Sequence, residues 1–207
     1  MFENANTSAG NQFTHLGAIG QEASVKGTSL ASKKLDLTIK AQDSNVYILS
    51  LKDIKTQLGA KDALVVSVLT KVLGNLPAAS FLMIGRENAL KIISVAIGAK
   101  STRAITLFSF SSQITLKILG EILTSSYSES LISEMGKELE FSVGSPEIFS
   151  DNWNNTLELI FSRLNGKDQD SYLVFTLSFN CEVHNNNYQG FFVYLVDRIA
   201  LKNLLNQ

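Results

Sequence analysis

The stretch Phe81-Leu-Met-Ile-Gly-Arg-Glu-Asn-Ala-Leu-Lys91 reads as an apolar strand, a charged turn and the opening of a helix. Phe192-Val-Tyr-Leu-Val-Asp-Arg-Ile-Ala-Leu-Lys202 repeats that succession, down to the closing Ala-Leu-Lys. Self-similarity of this kind points to a body built from two related halves. Upstream, Leu16-Gly17 and Leu119-Gly120 sit in comparable apolar stretches, and each is followed by a strand-like segment, Leu35 to Ile39 and Leu139 to Val143. A break between the halves falls near Gly98 to Arg103, but no Pro- or Ser-rich linker marks it, so one fused body is expected instead of two beads. The expected organisation is a polar tail over 1–12 and a single domain over 13–207, made of pseudo-repeats at about 13–100 and 101–207.

Periodicity fills in the elements. The first half predicts a helix over 11–32, strands over 34–41 and 45–50, a short helix over 51–58, strands over 62–73 and 78–84, and a helix over 86–98. The second half predicts a long helix over 111–135, a strand over 138–143, a helix over 151–163, strands over 171–183 and 188–196, and a closing helix from 197. Between Tyr172 and Val183, the apolar Phe175, Leu177, Phe179, Cys181 and Val183 alternate with Thr176, Ser178, Asn180 and Glu182. That is the period of an antiparallel strand with one wet face. In the long helix Leu119, Ile122, Leu123, Tyr127, Leu131 and Met135 recur at three- and four-residue steps and form an apolar stripe, which leaves Ser125, Ser126, Ser128 and Ser130 to its polar side. The fold class is therefore α+β, with antiparallel strands and two long amphipathic helices related by a pseudo-two-fold axis.

Composition narrows the function. Over 207 residues, 18 Lys and Arg nearly cancel 19 Asp and Glu, so no basic field exists to draw in a phosphate backbone, and nucleic acid is not an expected partner. The longest apolar runs, Ala63 to Leu69 and Ile92 to Ile97, fall far short of the roughly 20 residues a membrane-spanning helix needs. The opening residues carry neither a basic patch nor an apolar stretch of signal type, and a single Cys181 excludes an internal disulfide, which together suggest a cytoplasmic protein without membrane insertion.

The common catalytic sets are missing. His15 and His184 are the only histidines, too few for a zinc site, and Cys181 and His184 would point to opposite faces of a continuing strand. Cys181 is read as core. No Gly-x4-Gly-Lys loop and no Gly-x-Gly-x2-Gly fingerprint occurs, and Gly27-Thr-Ser29-Leu-Ala31 lacks the second Gly of a nucleophile elbow, so no metal and no cofactor are expected. Tyr127 and Trp153 are read as packing residues, although an exposed Trp153 would suit an interface anchor.

One stretch carries a resemblance. Leu116-Lys-Ile-Leu-Gly-Glu-Ile-Leu-Thr-Ser-Ser-Tyr-Ser-Glu-Ser-Leu-Ile-Ser-Glu-Met-Gly136, followed by Pro146, resembles the second signature helix of the CheC, CheX and FliY phosphatases of chemotaxis. In the first half, His15-Leu-Gly-Ala-Ile-Gly20 resembles the family's Glu-Ile-Gly-Asn-Ile-Gly, and Lys33-Lys-Leu-Asp-Leu37 resembles the strand after it. The likeness runs from about Phe13 to Leu205, and the internal repeat is similar to that of CheC more than to the single repeat of CheX. The resemblance implies two exposed long helices that carry one site each. It also implies a CheY-type response regulator as partner, with a CheD-like deamidase as another. In such a site an Asn amide places water in line with the leaving carboxylate oxygen, while a Glu fixes docking on the regulator's Lys.

The sequence departs from the family at those positions. The Glu position falls on His15 and on Ile118, and the Asn position on Ala18 and on Glu121. Neither Ala nor Ile can orient water, and Glu121 would bring a carboxylate without an amide donor. Gln21 and Glu22, one turn beyond Ala18, are the substitute amide and carboxylate if the register has shifted, and Glu121 is the substitute in the second half. Pro146 matches the family's Pro, whereas Lys40 stands in its place in the first half. Three functions follow: a CheC-like binding module with weak or no phosphatase activity, a phosphatase using substitute residues, and a structural piece of a flagellar-switch-like assembly. A monomer and a homodimer fit equally.

Overall fold

The computed structural model describes residues 10–59, 61–99, 106–135, 139–164, 170–183 and 185–197. The first half runs α1 (Gly10–Leu35), β1 (Thr38–Ser50), α2 (Leu51–Leu58), β2 (Leu64–Gly74), β3 (Ala78–Gly85) and α3 (Arg86–Ala96). The second runs α4 (Phe110–Glu134), β4 (Phe141–Val143), β5 (Glu147–Asn152), α5 (Trp153–Arg163), β6 (Ser171–Val183) and β7 (Asn186–Asp197).

Local chemistry sets the element ends. Asp36 takes a left-handed φ of 53°, and the Leu37 amide reaches back to the Ser32 carbonyl at 3.0 Å, which closes α1 in a Schellman arrangement. The Ile39 amide then donates to the Ser32 hydroxyl at 2.9 Å and fixes where β1 begins. Both short helices start from a capping side chain at the end of a strand. At α2, Ser50 Oγ accepts from the Asp53 amide at 3.1 Å while Asp53 Oδ2 accepts from the Ser50 amide at 3.3 Å, a capping box. At α5, Asn152 Oδ1 accepts from the Asn155 amide at 2.8 Å.

All seven strands join one antiparallel sheet in the order β1-β6-β7-β3-β2-β4, with β5 also paired to β2. From either edge inward the order meets the same succession: an edge strand that precedes a short helix, then a long strand of the other half, then that strand's hairpin partner. The two edges differ in continuity. β1 crosses the whole of β6 with one bulge between Ala41 and Asp43, whereas the opposite edge is split into β4 and β5 by Gly144-Ser145-Pro146. Pro has no N–H to give a ladder, so a strand breaks or bulges there.

Each face of the sheet has its own core. α1, α3 and α4 cover one face over Val68, Leu82, Phe175, Phe179, Phe192 and Tyr194, among others. α2 and α5 cover part of the other over Val65, Phe81, Met83, Val174 and Leu195. Close approach of the long helices depends on glycine. A Cβ at Gly20 of α1 would lie 2.9 Å from the Phe175 ring, and one at Gly120 of α4 would lie 3.0 Å from Val68 Cγ1.

Several sequence expectations need correction. The two strands expected over 34–41 and 45–50 are a single β1, because Gln42 and Asp43 form a bulge instead of a turn. α1 reaches Leu35, so Lys34 and Leu35 are helical, and α1 begins at Gly10, inside the span read as tail. β5 has no counterpart in the sequence reading, which started a helix at 151 where the chain is still extended. Ser126, Ser128 and Ser130 do not lie on a polar side: all three are buried. Ser126 and Ser128 donate to the carbonyls of Ile122 and Thr124 four residues back, so α4 buries these two hydroxyls without stranding them, while Ser130 Oγ is buried without a partner. The outer face of β6 is wet only from Ser178 onward, since Val174 and Thr176 lie in or beside the second core. Asp197, where a closing helix is expected to start, is still in β7, and the rest of that helix and His184 lie outside the described residues.

Candidate functional site

The candidate site is the outer ridge of the α1/α4 pair. The two helices run antiparallel, because His15 near the start of α1 meets Glu134 at the end of α4, Nε2 to Oε1 at 2.7 Å. Further along, Lys26 Nζ and Glu129 Oε2 are 2.7 Å apart, both half-exposed. Beneath them Ser24 Oγ and the Tyr127 hydroxyl share a buried hydrogen bond of 2.7 Å. The Ser24–Tyr127 and Lys26–Glu129 pairs each join residues 103 positions apart, and Leu16-Gly17 and Leu119-Gly120 are also separated by 103.

On α1, His15, Ala18, Gln21 and Glu22 are all exposed and recur at three- and four-residue steps, so they share one stripe. On α4, Glu121 is exposed and Ile118 is half-buried against the core. Ile118 lies 16 residues before Glu134, about 24 Å along the helix at 1.5 Å per residue. Since His15 pairs with Glu134, the two sets of positions stand toward opposite ends of the ridge. Gly27 packs on Leu123 and Ser126, which puts Ser29 and Leu30 of α1 across from Glu121. Gln21 and Glu22 are therefore roughly 12 Å from Glu121 along the ridge, and the three substitute residues do not form one site.

The groups present have limited chemistry. The Ala18 methyl and the Ile118 alkyl chain neither donate nor accept a hydrogen bond, the His15 imidazole is engaged by Glu134, and an ionised Glu121 only accepts. The His15–Glu134 and Lys26–Glu129 pairs were not legible in the sequence, because each depends on the antiparallel register of two helices far apart in the chain. At the start of α4, Phe108 and Phe110 are 59% and 81% exposed, with Ile114 one turn on, and these form an apolar patch.

Beneath the ridge the polar groups are structural. Burial raises the Tyr127 phenol above its ordinary value, against the opposing effect of hydrogen bonds to Ser24 and Ser44. The ring stacks on Tyr194 and meets Phe175 edge-on. Tyr194 is pushed up to about 12 by burial, while its hydroxyl bonds Ser128 Oγ at 2.8 Å. Cys181 is fully buried and its thiol is pushed up to about 11, which makes it a packing residue. Trp153 is core as well: its Nε1 donates to the Gly59 carbonyl at 2.9 Å and the Lys61 ammonium sits 4.1 Å above its ring. Among the described residues no three His, Cys, Asp or Glu side chains converge as metal ligands. No described helix is long and apolar enough to cross a membrane.

No family model matches the sequence, and no curated protein matches it. Solved structures do. The chain is similar to FliY from Thermotoga maritima, with a TM-score of 0.68 at 16% identity over 98% of this chain and 97% of that one. It is similar to a chain of the FliG–FliM complex from H. pylori, with a TM-score of 0.60 at 12% identity over 95% and 98% of the two chains. It is also similar to a chain of the CheX–CheY–BeF3–Mg2+ complex from Borrelia burgdorferi, with a TM-score of 0.52 at 12% identity over 86% and 98%. At these identities the likeness speaks for architecture. The α+β body with its single antiparallel sheet and paired long helices has the CheC/CheX/FliY fold, shared with FliY, CheX and FliM.

Proposed function

We propose that this chain is a cytoplasmic, CheC-like chemotaxis protein that docks a CheY-type response regulator on the α1/α4 ridge, with a CheD-like deamidase as a further partner, and has weak or no phosphatase activity. The observation that carries this reading is the ridge itself: the α1 stripe and Glu121 are exposed as a docking surface requires, yet Ala18 and Ile118 stand where a Glu-and-Asn site needs polar groups. Hydrolysis of an aspartyl phosphate forms a bond from water oxygen to phosphorus and breaks the bond from phosphorus to the carboxylate, which leaves as the aspartate. Ala18 and Ile118 cannot hold that water at all, and Glu121 can only accept from it, with a negative charge beside the phosphoryl group. The CheX–CheY complex among the similar structures supports a regulator as partner.

The two halves, about 13–100 and 101–207, are pseudo-repeats of one domain about a pseudo-two-fold axis that passes between β3 and β7. The strand order, which reads alike from both edges, supports this. So do the two contacts across the helix pair, since at an isologous junction residues at matching positions meet one another.

The test is the decay of the cognate phosphorylated CheY at increasing concentrations of this protein. Unchanged or slowed decay, together with measurable binding, is expected, and catalytic acceleration would sink the reading. The double substitution His15→Glu and Ala18→Asn restores the pair on α1 and is expected to accelerate decay by at least one order of magnitude, in line with about 10²-fold or more for a positioned catalytic group. The patch of Phe108, Phe110 and Ile114 favours a second reading, a structural component of a flagellar-switch-like assembly. That reading predicts a stable oligomer on gel filtration which Phe110→Ser dissolves.

A further inference from the structure

The sheet face that carries α2 and α5 is only half covered, and beyond Leu58 and Trp153 it opens into a cleft of about 510 Å³. That volume lies in the range of small-ligand sites. Five side-chain amides line the cleft: Gln42 at the β1 bulge, Gln57 near the end of α2, Asn88 in the first turn of α3, Asn180 on β6 and Gln189 on β7. Asn180 and Gln189 are register partners on adjacent strands, so their side chains lie side by side on this face. Asn180 Oδ1 is buried and has no hydrogen-bond partner. A buried acceptor of this kind is costly unless something donates to it.

We propose that this cleft binds a compact, neutral, hydroxyl-rich ligand of the carbohydrate or polyol class. An amide offers a donor and an acceptor side by side, and a hydroxyl does both at one atom, so a set of amides matches a set of vicinal hydroxyls. Charge points the same way. Among the described residues Asp43 and Lys61 are the only charged ones lining the cleft, and the Lys61 ammonium is already placed over the Trp153 ring, so neither an anion nor a metal ion finds a complementary set. Met83 and Phe191 add apolar surface against which a C–H face can rest. The end of α2 and the start of α5 close one end, which suits a compact ligand better than a threaded chain. A neighbouring depression of about 300 Å³ shares Gln42 and Asn180 and adds Asn185, Asn187 and the mutually paired Lys40 and Glu182, room for a second ring.

The test is a titration of the uniformly 15N-labelled chain with glucose, maltose, chitobiose and glycerol, read at the side-chain amide signals. Saturable shifts of Asn180 and Gln189 with at least one of the four are expected. Asn180→Leu should weaken that binding about tenfold or more. Gln189→Ala, at an exposed position, should weaken it as well with the melting temperature unchanged, which separates loss of the site from loss of the fold. The absence of saturable shifts with all four probes would overturn the proposal. So would shifts confined to other residues, or a capped tetraglycine that moves the same signals at lower concentration than any sugar, an outcome that would assign the cleft to a peptide.

Discussion

α1 and α4 lie side by side on the same face of the sheet, in opposite directions and at comparable length, yet they relate to water differently. α1 keeps a continuous exposed stripe through His15, Ala18, Gln21, Glu22 and Val25. α4 is held by α1 along one flank and contacts α3 as well, and it buries twelve residues, six of them Ser or Thr. The lesson concerns polarity. A helix can be rich in hydroxyls and still be central when most of them find a carbonyl one turn back or another side-chain partner, as all the buried hydroxyls of α4 except Ser130 Oγ do. Thr124 does both, with the Gly120 carbonyl at 2.6 Å and Ser80 Oγ at 2.6 Å.

This contrast can be broken by matched substitutions, and truncating an apolar residue on each helix should separate them most. Leu123→Ala in α4, fully buried, is expected to cost about 2–5 kcal/mol. Val25→Ala in α1, 54% exposed, should stay within about 0.5 kcal/mol. Urea denaturation of both variants checks this, and equal losses would mean that the two helices are equally buried in solution.

The next contrast is between two glycines 103 residues apart. A Cβ at Gly120 meets Val68, whereas one at Gly17 meets nothing within 4 Å. Gly120→Val should therefore destabilise by about 1–3 kcal/mol. Gly17→Ala, in the interior of a helix with open space around it, should stabilise by about 0.5–1 kcal/mol. The sign of the difference in thermal unfolding is the measurement.

The smallest expected difference lies at the helix caps. The neutral cap at α5 is expected to lose about 1 kcal/mol in Asn152→Ala, independently of pH. At α2 the cap involves a carboxylate. The hydrogen bonds that Asp53 accepts from the Ser50 hydroxyl and amide lower its pKa below the ordinary value. A depressed carboxylate contributes stability above its unfolded pKa and loses it as pH falls through the folded value. The deficit of Ser50→Ala should accordingly be largest near neutrality and shrink as pH falls through the carboxylate range, while that of Asn152→Ala stays flat. Denaturation midpoints across that pH range test it, and parallel pH profiles for the two variants would show that Asp53 contributes nothing beyond the neutral hydroxyl.

Much of the fold was legible because periodicity survives where burial is strong. The alternation in Leu177 to Val183, the four-residue steps from Leu119 to Leu131 and the short helix at Leu51–Leu58 are found where periodicity places them. What escaped was structure in which a residue's chemistry and its location part company. Ser126 and Ser128 count as polar in any sequence pattern but spend their hydrogen bonds on their own helix. Gln42 and Asp43 look like turn residues but occupy a bulge, and Pro146 hides β5 by interrupting the run that would have announced it. The candidate site was legible as positions on a stripe and not as contacts. Neither the His15–Glu134 pair nor the convergence of Gln42, Asn180 and Gln189 leaves any mark in local sequence, since each is made by chain segments that only the sheet and the helix pair bring together.

The strand order has a consequence for synthesis. Among the described residues β1 finds its one ladder partner in β6, whose residues lie more than a hundred positions downstream, and β4 and β5 complete the sheet against β2 from the other half. As the chain leaves the ribosome, β1 has no neighbour to pair with until most of the polypeptide has been translated, so folding waits on distant contacts and a high contact order slows it. Separately expressed halves would each expose a bare strand edge that only the other half matches, which makes them suited to reassembly by fragment complementation and poorly suited to life alone.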